Sequence, residues 1–207
     1  MIIFEQKPFE EILGYLANDR SVFLLRCTGC AKVNLANAES DIIDMKGKIE
    51  EKGIDITGFA IKGLLCIKAK SVLEDLTETI GNPSSILAMA CGLGVQSVAE
   101  ATDKIVHPAC NSFVDKESLE RGKREGRCRI CGDCVLEFTG GICPLTVCSK
   151  RLLNGPCGGT SGGKCEISKE IDCGWMLIYE RMKKLGRLEV LKAYLAPKDY
   201  RKIQKLT

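Results

Sequence analysis

The chain has 207 residues, of which 45% are hydrophobic and 28% charged, enough for one large or two small domains of an ordinary globular protein. No run of about 18 apolar residues occurs, which excludes a membrane-spanning helix. The net charge is +3, unevenly spread: residues 1–110 carry 11 Lys/Arg against 15 Asp/Glu, and the remainder carries 19 against 12. Aromatics make up only 5% and do not interleave with the basic residues, so nucleic acid is not an expected partner.

The opening Met1-Ile-Ile-Phe-Glu-Gln-Lys-Pro8 has no basic region followed by an apolar stretch, unlike a secretory signal. A cytoplasmic location is expected, where thiols stay reduced. Thirteen cysteines, an odd number, therefore read as metal ligands rather than as a disulfide framework.

Taken in chain order, Lys7 to Arg20 reads as an amphipathic helix with Phe9, Ile12, Leu13 and Leu16 on one side. Ser21 to Arg26 is a short apolar strand, residues 37–52 a helix, and Ile54 to Ile61 an alternating strand. Lys68 to Ile80 is a further helix, and Ser85 to Ala90 a buried strand. Gly92-Leu-Gly-Val-Gln96 opens a helix, and Asp103 to Val106 closes the series. Strands alternating with helices predict an α/β domain over residues 1–112, a parallel sheet with helices on its faces.

In such sheets function collects at the carboxyl ends of the strands. Cys27-Thr-Gly-Cys30, Cys66 and Cys91-Gly-Leu-Gly94 are all expected there. These four cysteines form a candidate third site, for a cluster or for zinc. Cys27 and Cys30 read equally as a redox dithiol, or as unligated thiols. Gly92-Leu-Gly94 lacks the third glycine of a dinucleotide fingerprint, since Val95-Gln-Ser97 supplies none. His107, the lone histidine, reads as structural, and Cys110 as a small buried apolar residue.

Lys116 to Arg127 is strongly charged and reads as a solvent-facing helix leading to a second domain over residues 113–207. That domain is rich in Cys and Gly. Eight cysteines, Cys128, Cys131, Cys134, Cys143, Cys148, Cys157, Cys165 and Cys173, fall within 46 residues. Four thiolates hold one cubane cluster, so eight suffice for two 4Fe-4S clusters. Cys128-x2-Cys131-x2-Cys134 begins as the bacterial ferredoxin run does, but eight residues, not three, precede Cys143-Pro144. Zinc sites usually present paired CxxC units or mixed Cys/His sets; the later spacings here form no pairs, and the segment has no histidine. An iron–sulfur domain is the leading expectation, with a zinc-binding scaffold as the alternative. Cys173-Gly-Trp175 leads into a helix stopped by Gly186, on which Trp175 and Tyr179 share a face. Arg187 to Leu195 reads as a second helix, and Pro197 to Ile203 as a polar tail that frays or docks onto another chain.

Cys131-Gly-Asp-Cys-Val-Leu-Glu-Phe-Thr-Gly-Gly-Ile-Cys-Pro144, Leu152-Leu-Asn-Gly-Pro-Cys-Gly-Gly-Thr160, Gly163-Lys-Cys-Glu166 and Cys173-Gly-Trp175 resemble the methylenetetrahydrofolate reductase C-terminal family. This is the MetV-type iron–sulfur companion subunit of anaerobic reductases. Cys27-x-x-Cys30 and Ala90-Cys-Gly-Leu-Gly-Val-Gln-Ser-Val-Ala99 agree with it, as does the short Ala196-Pro-Lys-Asp199. The resemblance implies a partner, a flavin-bearing TIM-barrel reductase subunit that holds FMN or FAD and the folate. It implies that this chain passes electrons to that flavin from ferredoxin or another redox complex. It also implies that the eight clustered cysteines are ligands, without assigning them four by four. Many relatives carry a further cysteine four residues after Cys30, where this chain has Asn34.

Overall fold

The computed structural model describes residues 2–30, 35–114 and 127–202. The first half runs β1 (Ile2–Gln6), α1 (Phe9–Tyr15), β2 (Ser21–Cys27), α2 (Leu35–Glu50), β3 (Asp55–Lys62), α3 (Leu65–Asp75) and α4 (Thr77–Ile80). It continues with β4 (Ser85–Met89), α5 (Gly92–Glu100), β5 (Ile105–Pro108) and β6 (Cys110–Val114). The second half holds a 3-10 turn (Leu136–Thr139), α6 (Pro144–Val147), β7 (Lys164–Cys165), β8 (Ser168–Asp172), α7 (Gly174–Lys184) and a second 3-10 turn (Leu188–Lys192). Asn34 and residues 116–126 of the expected charged helix lie outside the described residues.

The four inner strands form a parallel sheet in the order β3-β2-β4-β5. The mixed α/β architecture with a parallel sheet is the one the alternating elements predict. β2 and β4 are buried on both faces because helices cover both. On one face, Ile12 of α1, Leu16 at its C-cap and Ile42, Met45 and Ile49 of α2 pack on Val22, Leu24, Leu87 and Met89. On the other, Leu65, Ala69 and Val72 of α3 and Val95, Val98 and Ala99 of α5 pack on Phe23, Leu25, Ile86 and Ala88. Leu136, Cys143 and Leu145 of the cysteine region belong to this second core, so that region is packed on the sheet's helices.

Three elements differ from the expectation, each for a local reason. α1 is shorter than Lys7–Arg20. Pro8 stands at its N-cap, and the chain leaves the helix in time to turn Asp19 inward, where it accepts from Ser85 Oγ at 2.5 Å. The helix expected at Lys68–Ile80 starts earlier and divides at Leu76, where Thr77 Oγ1 donates back to Glu74 O at 2.7 Å. Arg187–Leu195 forms only a 3-10 turn, because the Asn154 amide brackets Leu195 with two hydrogen bonds of 2.7 Å and holds it out of the helix.

α7 ends as expected, with Gly186 in the left-handed region at φ 67°. Trp175, Ile178 and Met182 make its buried face, and Tyr179, one turn after Trp175, stands at the edge of that face with 42% of it exposed. A further antiparallel pair, β1 with β6, runs from Ile2 opposite Val114 to Gln6 opposite Cys110.

Candidate metal centre

β2 and β4 lie side by side, and the chain leaves them toward opposite sides of the sheet. Crevices form at the carboxyl edge of such a switch point. Cys27 ends β2, and Cys91 follows β4 as the N-cap of α5. Burial pushes the Cys91 thiol up to about 11, and the nearby Cys27 and Cys30 thiols add to the shift. The Cys27–Cys30 turn closes against α3: a Cβ on Gly29 would lie 2.2 Å from Leu64 N. Cys66 sits in the first turn of α3, its carbonyl accepting from Ser97 Oγ of α5 at 3.0 Å. The fold thus gathers Cys27, Cys30 and Cys91 at the edge and sets Cys66 on the adjoining helix.

Beside this edge, Cys128, Cys131, Cys134 and Cys143 line one cavity, walled by Gly92, Gln96 and Ser112 of the sheet region. The turn that carries the first three is tightly wound. Ile130 has φ 53°, Gly132 has φ 70°, and Gly132 N donates to Ser112 O at 3.0 Å. Asn111 Oδ1 accepts from Cys134 N at 2.9 Å, and Ser112 Oγ accepts from Gly92 N at 2.7 Å. A side chain at position 92 would intrude, since a Cβ there would stand 3.0 Å from Cys128 Sγ.

Burial pushes the Cys134 thiol up to about 12 and raises those of Cys128 and Cys143 as well; neighbouring thiols reinforce each shift. Thiols packed together this way stay protonated unless a cation joins them. The donor set and the side-chain-free wall at Gly92 suit a group held by four thiolates. Among the described residues, no three or more His, Cys, Asp or Glu side chains converge closely enough to hold a single metal ion.

The other four clustered cysteines form a separate lobe. Cys148 closes α6 and Cys173 caps α7, and both pack in the apolar cluster of Trp175, Ile178 and Met182. The two helix ends are pressed together, because a Cβ on Gly174 would lie 2.6 Å from the Val147 carbonyl carbon. Cys165, on the β7–β8 hairpin, donates to Ser149 Oγ at 3.5 Å, beside Cys148. Cys157 is exposed and stands 3.6 Å from Glu166 Oε1. The eight cysteines therefore fall into a set packed on the sheet region and a set in the outer lobe.

Cationic groups surround the first set. Lys7 is 2% exposed, and its Nζ donates to Glu11 at 2.6 Å and to Cys134 O at 3.4 Å. Lys198 of the tail reaches Asp133, between Cys131 and Cys134. The tail thus docks on its own chain. His107 is structural, as its sequence setting suggests. Fully buried on β5, it spans Glu137 at 2.7 Å and Asp19 at 3.0 Å, and Glu137 also pairs with Arg187 at 2.5 Å. Cys110 is 1% exposed. Lys7, Gln96, Asn111 and Ser112 were not among the expected site residues. Gln96 lies within the Ala90–Ala99 motif, and nothing in its spacing marks its role.

Residues 107–201 match the family described as methylene-tetrahydrofolate reductase C terminal. No curated protein and no solved structure matches the chain.

Proposed function

From the match of residues 107–201 to the methylene-tetrahydrofolate reductase C-terminal family, we propose that the chain is an iron–sulfur, electron-transferring subunit of such a reductase. The single observation that carries this reading is that Cys128, Cys131, Cys134 and Cys143 line one cavity against the sheet region. These four residues would hold one cubane cluster, and Cys148, Cys157, Cys165 and Cys173 a second. When bound, such clusters supply one-electron storage and transfer. The protein's part is to seat the thiolates, keep water from the inner set and balance their charge with Lys7 and Lys198. The flavin belongs to the partner subunit, and ferredoxin or a similar carrier is the donor. The lone histidine, His107, is buried and paired with Asp19 and Glu137, which suits a subunit that moves electrons rather than atoms.

Iron, zinc and acid-labile sulfide per chain after anaerobic purification, with EPR of the reduced protein, test this. About eight iron and eight sulfide are expected, and about twelve of each if Cys27, Cys30, Cys66 and Cys91 hold a further cluster. One or two zinc with negligible sulfide would leave a structural scaffold instead.

A further inference from the structure

Gln96 is buried on α5, 6% exposed, in the wall between the sheet region and the four-cysteine cavity. Each polar atom of its amide is used, and each partner belongs to a different segment of that cavity. Nε2 donates to Gly92 O at 3.0 Å and to Arg127 O at 2.5 Å, and Oε1 accepts from Cys143 N at 3.4 Å. Gly92 follows Cys91, Arg127 precedes Cys128, and Cys143 is itself one of the four. One side chain thus ties together the start of the cysteine run, its Cys-Pro end and the helix that faces both.

We propose that Gln96 is the positioning residue of the inner thiolate set, fixing Cys128 relative to Cys143 so that four thiols converge on one group. The proposal rests on the reading of these cysteines as metal ligands, but not on which metal they take. The physical case is the asymmetry of buried hydrogen bonds. A neutral amide satisfies two carbonyls and one N–H together, and no other side chain of this size offers both donors and an acceptor. Glutamate has the same shape but aims a carboxylate at two carbonyl oxygens. Leucine takes the side-chain partner from Arg127 O and from the Cys143 N–H, while Gly92 O keeps its helical bond. Either change loosens the join between Arg127 and Cys143 while leaving the outer lobe, which Gln96 does not touch, as it is.

The test compares full-length wild type, Gln96→Glu and Gln96→Leu, purified anaerobically. Iron, zinc and sulfide content, EPR line shape and the midpoint potential of each centre are read alongside thermal unfolding. In Gln96→Glu the expected result is a changed signal and potential for one centre, with the other as in wild type. Metal loss in air from the altered centre should be about tenfold faster, the factor that corresponds to about 1.4 kcal/mol. Gln96→Leu should lose the metal of that set, about half the total. If Gln96→Leu does not fold, the isosteric Gln96→Glu carries the comparison. Unchanged content, spectra and potentials in Gln96→Glu would overturn the proposal. Equal disturbance of both centres would also overturn it, by making Gln96 a general stability residue. A wild type with zinc and no sulfide would sink the iron–sulfur reading alone; the loss of half the zinc in Gln96→Leu would then still decide the role of Gln96.

Discussion

Lys198 Nζ donates to the main-chain oxygen of Asp133 at 2.6 Å and stands 3.2 Å from its carboxylate, with only 3% of the lysine side chain exposed. Lys202 reaches the same carboxylate at 3.8 Å, and its Cβ packs near Gly132. The tail therefore lies across the turn between Cys131 and Cys134.

Replacing Lys198 with methionine keeps the enclosed stem but removes the donor to the Asp133 carbonyl. The expected cost is about 1–3 kcal/mol of stability, with faster metal loss in air from the inner set. Differential scanning calorimetry and timed iron release in air measure both. Unchanged release would mean that the tail does not shield that turn.

His107 makes stability depend on pH. Burial alone would lower its pKa, but hydrogen bonds to Asp19 and Glu137 outweigh that and push it up to about 8. Arg187 faces Glu137, Ser85 faces Asp19, and Tyr15 stacks on the ring. A folded pKa above the unfolded value of about 6.5 means that the contribution is complete below pH 6.5 and lost as pH rises through 8. On the order of 2 kcal/mol should disappear over that window. His107→Gln should flatten the denaturation midpoint between pH 6 and 9 and lower it overall, because two buried carboxylates lose their shared partner.

Gly141 has φ 85°, and a Cβ there would stand 2.2 Å from the Ala99 Cβ. Gly141→Ala combines a left-handed backbone with a clash at the contact between the cysteine region and α5, so it should cost about 2–4 kcal/mol. Gly155 has φ 77° but open space around it. Gly155→Ala should cost about 1 kcal/mol. Thermal midpoints of the two variants compare the terms directly; equal shifts would show that the Ala99 contact contributes nothing.

In the metal-free chain, exposed Cys157 should react with iodoacetamide about tenfold or more ahead of Cys134 and Cys110, whose thiols are enclosed. Peptide mapping after short alkylation reads the order. Cys134 reacting as fast as Cys157 would mean that the sheet-side set opens without metal.

β2 and β4 are legible from sequence because burial on both faces leaves them as unbroken apolar runs. β1 and β6 are not, since β1 finds its partner only at Cys110–Val114 and no local pattern announces so distant a pairing. The cysteines declare themselves by residue type and spacing. Their division into an inner and an outer set does not, because it depends on which helix end or strand edge each one meets. Lys7 reads as an ordinary surface charge, and only the tertiary contact with Glu11 and Cys134 draws it inside. Gln96 looks like any polar residue on a helix that also carries Ser97 and Glu100, until its three partners are seen.

The ribbon of β1 with β6 imposes an order on synthesis. Ile2–Gln6 has no hydrogen-bonding partner until Val114 has emerged from the ribosome, and Gly132 then docks on Ser112 of that same ribbon. The residues that wall the inner site thus leave the ribosome ahead of the cysteines that face them. Loading of the inner set is therefore a late step, taken on walls that precede its thiols along the chain.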